Sequence, residues 1–177
     1  MGVFCCLYRI EIIKNMLTTI YDKAMLSLQE QRGDVLMTIM SFRNTPLSNM
    51  YLCDVEWCGN IFKSVEHAYM SAKSLDESWV EFCLKTASPY DVKKQSRKVT
   101  LREDWEDIKD DVMWELLWKK WNIPTLKEYL LSTGDEELVE GNTWKDTYWG
   151  YDTNLQHGEN RLGFYIMEIR KIIRGRS

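Results

Sequence analysis

Residues 104–121 read DWEDIKDDVMWELLWKKW, the longest helical pattern in the chain. The acidic residues of its first turn complement the positive end of a helix dipole. Apolar side chains recur at helical spacing in a wide stripe, which is typical of a helix that packs into a core. The stripe consists of Ile108, Val112, Trp114, Leu116, Leu117, Trp118 and Trp121. We therefore predict that this helix is the central packing element.

Shorter patterns surround this helix. Ser64 is a good N-cap for a helix that follows it, and Gly59 lies in a turn that predicts a small hairpin of residues 51–63. Further helices are predicted at Trp79–Thr86, from Pro89, from Pro124 to before Gly134 and at Leu162–Ile173, with short β-like runs at Val35–Ser41 and Leu138–Glu140. The predicted fold class is α+β: a predominantly α-helical, compact single domain with a small antiparallel β element.

The first 36 residues differ from the rest, and we predict an N-terminal amphipathic extension (1–36) before the domain (37–177). The apolar run Met1–Tyr8 is too short to span a membrane and lacks the flanks of a signal peptide. A helical pattern follows and ends near Gly33. Met37 or Met40 could equally be the functional start. We expect no membrane association.

Composition limits the function classes. The formal net charge is -4, so attraction of the whole molecule to nucleic acid is not indicated. Five cysteines without a disulfide framework are typical of a reducing cytosol, which predicts a cytoplasmic protein. Only two histidines occur, and no close Cys-x-x-Cys pair, so we expect no zinc site. The basic run 93–102 could contact phosphates, but a solvated helix face is the favoured interpretation.

A second helical stretch carries reactive side chains. Residues 63–73 read KSVEHAYMSAK, and helical spacing places four side chains on one face: Glu66, Tyr69, Met70 and Lys73. A carboxylate, an aromatic ring and an ammonium can together hold a polar ligand and polarise a bond in it. A surface Glu and Lys beside a core Tyr and Met is the simpler interpretation, and spacing alone favours it.

Several short motifs occur in a fixed order from about Ser41 to the end of the chain. They are LSNMY (47–51), SVEH (64–67), Lys73, REDW (102–105), TGD (133–135), LVE (138–140), DTYWG (146–150), GENRLG (158–163) and MEIR (167–170). None is specific alone. Together, in this order and spacing, they resemble the NADAR (YbiA-like) family. Residues 1–36 lie outside the resemblance.

The resemblance implies a compact, mostly helical domain that hydrolyses an N-glycosidic bond to ribose. Members of the family cleave early ribosylamine intermediates of the riboflavin pathway, or remove ADP-ribose from guanine in DNA. By motif position, the implied catalytic residues are Glu66 and Asp146, and the implied substrate-binding residues are Ser48, Asn49, Lys73, Trp105 and Trp149. Met50 stands where the family often has Phe or Tyr.

The chemistry of such a bond suits these residue types. Breaking a ribosyl C–N bond builds positive charge on the sugar, and a nearby carboxylate can stabilise it or activate the attacking water. The leaving nitrogen needs a proton or a hydrogen bond from a second titratable group. Trp105 and Trp149 could stack on a base or pack on the sugar, and Lys73 could hold a phosphate or orient a carboxylate. No cofactor or metal is needed.

Each candidate also has a structural interpretation. Trp105 could belong to the core because it opens a buried helix. Asp146 could cap a turn, and Asp104 and Asn160 could be helix N-caps. His67 lies about 100° from Glu66 on the helix, and we favour a structural role for it.

Two functions of different class stay open. One is a hydrolase, and the other is a non-catalytic module that binds ADP-ribose or a nucleotide. The pair Glu66 and Asp146 favours the hydrolase, since a binding module would not need two carboxylates beside anionic phosphates. ADP-ribosylated DNA is favoured over a ribosylamine because a local basic patch would steer a polyanion. The patch consists of Lys93, Lys94, Arg97, Lys98 and Arg102.

Overall fold

The structure, a computed structural model, describes residues 41–175. In that range the helices are α1 (Val65–Ser71), α2 (Glu77–Lys85), α3 (Pro89–Gln95), α4 (Trp105–Trp121), α5 (Pro124–Ser132) and α6 (Arg161–Gly175). A short 3-10 turn, Ser96–Lys98, follows α3. The strands are β1 (Val55–Trp57), β2 (Asn60–Phe62), β3 (Gly141–Asn142) and β4 (Tyr151–Asp152). The fold is α+β and predominantly helical, as predicted.

The predicted N-terminal extension lies outside the described residues, as does the β-like run before Ser41. The boundary at residue 37 therefore stays a prediction. Among residues 41–175, no helix is long and apolar enough to cross a membrane.

The central helix of the fold is α4. Ten of its seventeen residues are buried, more than in any other described helix. It packs against α1, α5, α6 and β1, and Leu116, Leu117 and Trp121 on its apolar stripe are completely buried. The prediction of a central packing helix is confirmed. Asp104 occupies the N-cap position, but its carboxylate binds the Arg102 guanidinium instead of the helix N–H groups.

The predicted hairpin is formed by β1 and β2, with β1 shorter than the predicted first strand. The strands are antiparallel, with Trp57 opposite Asn60. Between them, Cys58 and Gly59 have φ angles of 47° and 78°, as a two-residue type I′ turn requires. The hairpin packs through β1 against α1 and α4, so it closes one side of the helix that carries Glu66.

The prediction of a β-like run at Leu138–Glu140 is wrong. The adjacent strand pairing is instead β3 with β4, in parallel and over two residues each. Leu138 and Val139 are both completely buried, so they do not alternate between two faces as strand residues do. The backbone of this segment is bound by a side chain: Asn160 accepts from Glu140 N–H and donates to the Leu138 carbonyl, both at 2.9 Å.

Candidate active site

Glu66 lies in the first turn of α1, whose seven residues are all buried. Ser64 begins the helix as predicted, because its Oγ accepts from the His67 N–H at 3.2 Å. The N–H of Glu66 has no partner within the first turn of its helix and donates to the Asn49 carbonyl at 2.9 Å. His67 is completely buried, and its Nδ1 lies 2.8 Å from Ser64 Oγ. The start of α1 is therefore fixed to the 48–50 segment.

The Glu66 side chain is buried, and one of its carboxylate oxygens lacks a hydrogen-bond partner among the described residues. The residue is 4% exposed, and the Nζ of Lys93 lies 3.5 Å from its Oε1. That separation makes an ion pair but not a strong hydrogen bond. Among the described residues, Oε1 has no hydrogen-bond partner. A buried carboxylate oxygen left in this way is a strong acceptor for a water or a substrate.

Lys73 lies just beyond α1, which ends at Ser71, and not on the helix face that spacing predicted. Its carbonyl accepts from the Arg102 N–H at 2.9 Å, which joins the residues before α4 to the end of α1. The Nζ of Lys73 is 5.8 Å from the centre of the Trp105 ring, a cation–π contact. Burial lowers the pKa of Lys73, and the negative charge of Glu66 opposes that shift.

Tyr69 connects the two candidate tryptophans. Its ring centre is 5.1 Å from that of Trp105 and 5.7 Å from that of Trp149. Trp105 is buried, as its structural interpretation predicts, although it also contacts Lys73. Trp149 is only partly buried and packs on the core. The structure thus brings Glu66, Lys73 and both tryptophans into one neighbourhood through Tyr69.

Trp149 is placed by a polar network on α4. The carboxylate of Asp110 accepts from the hydroxyls of Tyr148 and Tyr165, and it pairs with the Arg161 guanidinium at 3.2 Å. Burial and the nearby carboxylate raise the pKa of both tyrosines, so both stay neutral donors. The centre of the Trp149 ring lies 5.0 Å from that of Tyr148 and 6.2 Å from that of Tyr165.

Asp146 caps the turn that leads to Trp149. Its Oδ1 accepts from the Trp149 N–H at 3.0 Å. Its own N–H and carbonyl are bound by the side chain of Asn142, at 3.1 and 2.8 Å. Asp146 therefore caps a turn, as its structural interpretation predicts. The negative charge of Asp146 also raises the pKa of the Glu140 carboxyl.

Glu140 is the functional candidate that sequence reasoning missed. Its Oε2 is buried and has no hydrogen-bond partner in the part of the chain that the structure describes. Burial raises the pKa of this carboxyl to about 7. The positive charge of Lys93 opposes the shift, and the negative charges of Asp146 and Glu66 add to it. The carboxyls of Glu66, Glu140 and Asp146 thus share one electrostatic neighbourhood.

Glu140 belongs to the LVE motif, but the apolar residues of that motif predict a strand and give no sign of the carboxyl's role. Asn160 occupies the position before α6, where its carbonyl accepts from the Phe164 N–H at 2.9 Å, while its side chain holds the backbone of the 138–140 segment. A Cβ on Gly163 would lie 2.1 Å from the Leu138 carbonyl oxygen. Only a glycine in the GENRLG motif therefore allows α6 to come this close to the segment that carries Glu140.

Ser48 and Asn49 lie in the segment that binds the start of α1 through the Asn49 carbonyl. The Nζ of Lys120 is completely buried with its residue and donates to the Ser48 carbonyl at 2.7 Å. Burial lowers the pKa of Lys120 to about 8, and the neighbouring Cys53 and Glu140 oppose that shift. Asn49 is buried, and its Oδ1 has no hydrogen-bond partner within residues 41–175. Its side-chain oxygen is thus an open acceptor on the residue whose backbone carbonyl binds the Glu66 N–H.

The basic run divides between two environments. Lys94, Arg97 and Lys98 are exposed, as the favoured interpretation of a solvated face predicts. Lys93 departs from it, because its ammonium pairs with the buried Glu66. Arg102 forms two bonds to the Asp104 carboxylate, at 2.5 and 2.8 Å.

Two surface depressions, of about 530 and 640 Å³, lie beside this group of residues. Lys98 lines the first and Arg102 the second, and Ser74, next to Lys73, lines both. The candidate catalytic carboxyls line neither depression, and we place the chemistry by the buried, unsatisfied carboxyl oxygens instead. Within the described ranges, no three His, Cys, Asp or Glu side chains are arranged to hold a metal ion.

Comparison with known proteins agrees with the motif order. The profile of the NADAR domain family matches residues 39–174. The N-glycosidase YbiA of Shigella flexneri is 34% identical over 142 residues, covering 76% of this chain and 88% of that protein. A riboflavin biosynthesis protein of Vibrio vulnificus is 36% identical over 129 residues, covering 71% of this chain and 34% of that protein.

The fold agrees as well. The NMR structure of the Escherichia coli protein YbiA is similar with a TM-score of 0.69 and 29% sequence identity. The similarity covers 82% of this chain and 91% of that chain. The chain therefore belongs to the NADAR domain family and is a hydrolase of the N-glycosidase class.

Proposed function

We propose that this N-glycosidase removes ADP-ribose from guanine bases in DNA, by hydrolysing the C–N bond between the ribose and the base. The observation that carries the proposal is the Glu66 carboxylate. It is 4% exposed, and one of its oxygens lacks a hydrogen-bond partner among the described residues. Two lysines and a set of aromatic rings lie around it. Such an oxygen is available to a reacting sugar or water.

The roles of the carboxylates follow from the charge that the reaction develops. As the C–N bond breaks, positive charge grows on the ribose, and a carboxylate in a water-poor site stabilises that charge strongly. We assign this role, or activation of the attacking water, to Glu66. Asp146 is the second carboxylate, since its charge acts on the same group of carboxyls.

The remaining site residues bind the substrate. Trp149 is partly exposed and can stack on a base, while the buried Trp105 holds Lys73 through a cation–π contact. Lys73 is a cation close to Glu66 and can hold a phosphate. The free Oδ1 of Asn49 can accept from a sugar hydroxyl. Ser48 positions this wall through its carbonyl bond to Lys120.

The choice of DNA rests on the exposed cations next to the site. Lys94, Arg97 and Lys98 project from α3 and the following 3-10 turn, adjacent to Lys93. In an otherwise acidic chain, they supply local attraction for several phosphates. A free ribosylamine intermediate needs only one or two cations, which Lys73 and Lys93 already provide.

A second candidate substrate is an early ribosylamine intermediate of riboflavin synthesis. The similarity to the Vibrio vulnificus riboflavin biosynthesis protein favours it. The same carboxylates would serve, because that substrate also has a ribosyl C–N bond.

Product analysis distinguishes the two substrates. The protein is incubated with an oligonucleotide carrying ADP-ribose on guanine, and separately with the ribosylamine intermediates, and the products are identified by mass spectrometry. We expect free ADP-ribose and the unmodified oligonucleotide from the first mixture at the higher rate. Faster cleavage of the ribosylamines would shift the assignment to the second candidate, and no cleavage of either would reject the proposed hydrolysis.

A further inference from the structure

We propose that Glu140 is the acid that protonates the leaving nitrogen, an inference that rests on the hydrolysis proposed above. Two carboxylates, Glu66 and Asp146, stand at the motif positions that imply catalysis. Each of them already has a partner: the Lys93 ammonium lies beside Glu66, and Asp146 accepts a backbone N–H. A third carboxyl with an oxygen that lacks such a partner is the better candidate for the proton donor.

Glu140 is placed rigidly beside them. Its N–H donates to the Asn160 side chain at 2.9 Å, and its carbonyl accepts from the Tyr151 N–H at 2.9 Å. The backbone is thus held on both sides, while the carboxyl oxygen Oε2 is buried and makes no hydrogen bond to any described residue. A group fixed at its base and unsatisfied at its tip can meet a substrate atom without losing an existing bond.

The charges around Glu140 come from every side that packs on it. Lys93 of α3 and Lys120 of α4 are positive, and Glu66 of α1 and Asp146 of the 143–150 loop are negative. Lys93 is shared with Glu66, and Lys120 is bound to the Ser48 carbonyl. Both cations already have other partners, so they do not offset the effects of burial and of the two neighbouring carboxylates on the pKa of Glu140. Its carboxyl therefore stays protonated to a higher pH than that of a free glutamic acid. Glu140 has the raised pKa, about 7.

The reaction then balances within the site. The proton of Glu140 passes to the leaving nitrogen as the electron pair of the C–N bond moves onto that nitrogen. Glu66 stabilises the positive ribose and takes a proton from the water whose oxygen bonds to the anomeric carbon. The products are the free amine of the base and a ribose with a hydroxyl at that carbon. Before the next turnover, Glu66 releases the proton it took from water to solvent, and Glu140 regains a proton from solvent.

The test compares pH–rate profiles of the full chain and of Glu140→Gln on the ADP-ribosylated oligonucleotide. Because the acid must be protonated, the wild-type rate should fall as the pH rises through about 7. In Glu140→Gln we expect kcat to fall by about 100-fold or more and this alkaline decline to disappear. The dissociation constant for the same oligonucleotide should change only a few-fold, since the amide keeps the shape of the side chain.

Asp146→Asn changes the other carboxyl near Glu140, so its rate should fall as well, because Asp146 is itself a candidate catalytic residue. It leaves Glu140 in place, so the alkaline decline should persist and shift to lower pH. Glu140→Asp keeps an acid on a shorter side chain and should restore part of the rate together with the decline. Thermal melts show whether each variant is folded.

The outcomes separate this inference from the function on which it rests. If the wild-type protein is active and folded Glu140→Gln keeps the same rate, or keeps the same alkaline decline, only the role of Glu140 is overturned. If the wild-type protein cleaves only the ribosylamines, the same comparison is made on them. Inactivity of the wild-type protein on both substrates would overturn both proposals.

Discussion

At the residue scale, the protonation of Glu140 is set mainly by burial. Its carboxyl lies among apolar and charged groups that do not hydrogen-bond to Oε2, and burial is the largest cause of its raised pKa. Transfer of a carboxylate into such surroundings is unfavourable, so the neutral form is retained. The same burial that makes Glu140 a proton donor therefore costs folding stability once the group must ionise.

Glu140→Gln should be relatively more stable than the wild-type protein at higher pH. The pKa rises from 4.5 in the unfolded chain to about 7 in the folded protein. Wild-type stability attributable to this group is therefore present below about pH 4.5 and is lost as the pH rises through about 7. At about 1.4 kcal/mol per pKa unit, the loss has an upper limit of about 3 kcal/mol.

Chemical unfolding of both proteins at about pH 5 and about pH 8 measures this difference. The advantage of the variant should be larger at the higher pH. The same difference in free energy of unfolding at both pH values would show that the carboxyl titrates normally.

At the element scale, three helices and one loop position the site. Helix α1 carries Glu66 and is packed against α3, which brings Lys93 to it. The segment 138–140 reaches the same place because Asn160 and Gly163, at the start of α6, hold it by side-chain bonds and close approach. The catalytic neighbourhood thus depends on contacts between segments far apart in the sequence.

Gly163→Ala tests this positioning. The new Cβ would lie 2.1 Å from the Leu138 carbonyl oxygen and 2.6 Å from the Asn160 amide atoms. A backbone carbonyl cannot move away freely, so we expect a loss of about 1–3 kcal/mol in the free energy of unfolding, together with slower turnover. Gly175→Ala is the control, because a Cβ there meets nothing within 4 Å. It should be neutral or slightly stabilising. Equal effects of the two substitutions would contradict the account.

Local signals explain what the sequence could predict at this scale. The N-cap of Ser64, the turn at Gly59 and the apolar stripe of α4 are decided by nearby residues, and these elements are found where expected. The conformation of the Leu138–Glu140 segment is set by Asn160, twenty residues away from Glu140. The strand that its apolar residues predict therefore does not form. A side-chain clamp of this kind leaves no periodic pattern.

The site shows the same division. Motif order identified Glu66, Lys73, Trp105 and Trp149, which the structure places around Tyr69. The roles of Lys93 and Glu140 depend on how α1, α3 and the 138–140 segment meet, and no local pattern encodes that packing. The charge pattern of the basic run 93–102 predicts a solvated helix face, and the Lys93 side chain is 42% exposed, but its ammonium also lies 3.5 Å from Glu66.

At the scale of the whole molecule, charge is unevenly distributed. The chain carries a formal net charge of -4, yet Lys94, Arg97 and Lys98 are exposed on one segment next to the site. The net negative charge of the chain repels DNA at long range, so binding of DNA must rely on this local patch of cations. Contacts of this kind weaken steeply as salt is raised.

Lys98→Ala should therefore slow cleavage of the oligonucleotide at low salt and reduce its salt dependence by about one phosphate contact. Cleavage of a short ADP-ribosylated guanosine nucleotide should be unaffected. Lys171→Ala, which removes an exposed lysine from α6, is the control and should change neither. The same salt response for the oligonucleotide and the short nucleotide in the wild-type protein would count against DNA as the substrate.

The central claim is that the buried Glu66 carboxylate drives hydrolysis of a ribosyl C–N bond. The most direct measurement compares turnover and binding of one ADP-ribosylated oligonucleotide by the wild-type protein and Glu66→Gln. We expect the variant to bind within a few-fold of wild type while turnover falls by about 100-fold or more, because a charge that stabilises the transition state is lost. Full turnover by a folded Glu66→Gln protein would remove Glu66 from the mechanism.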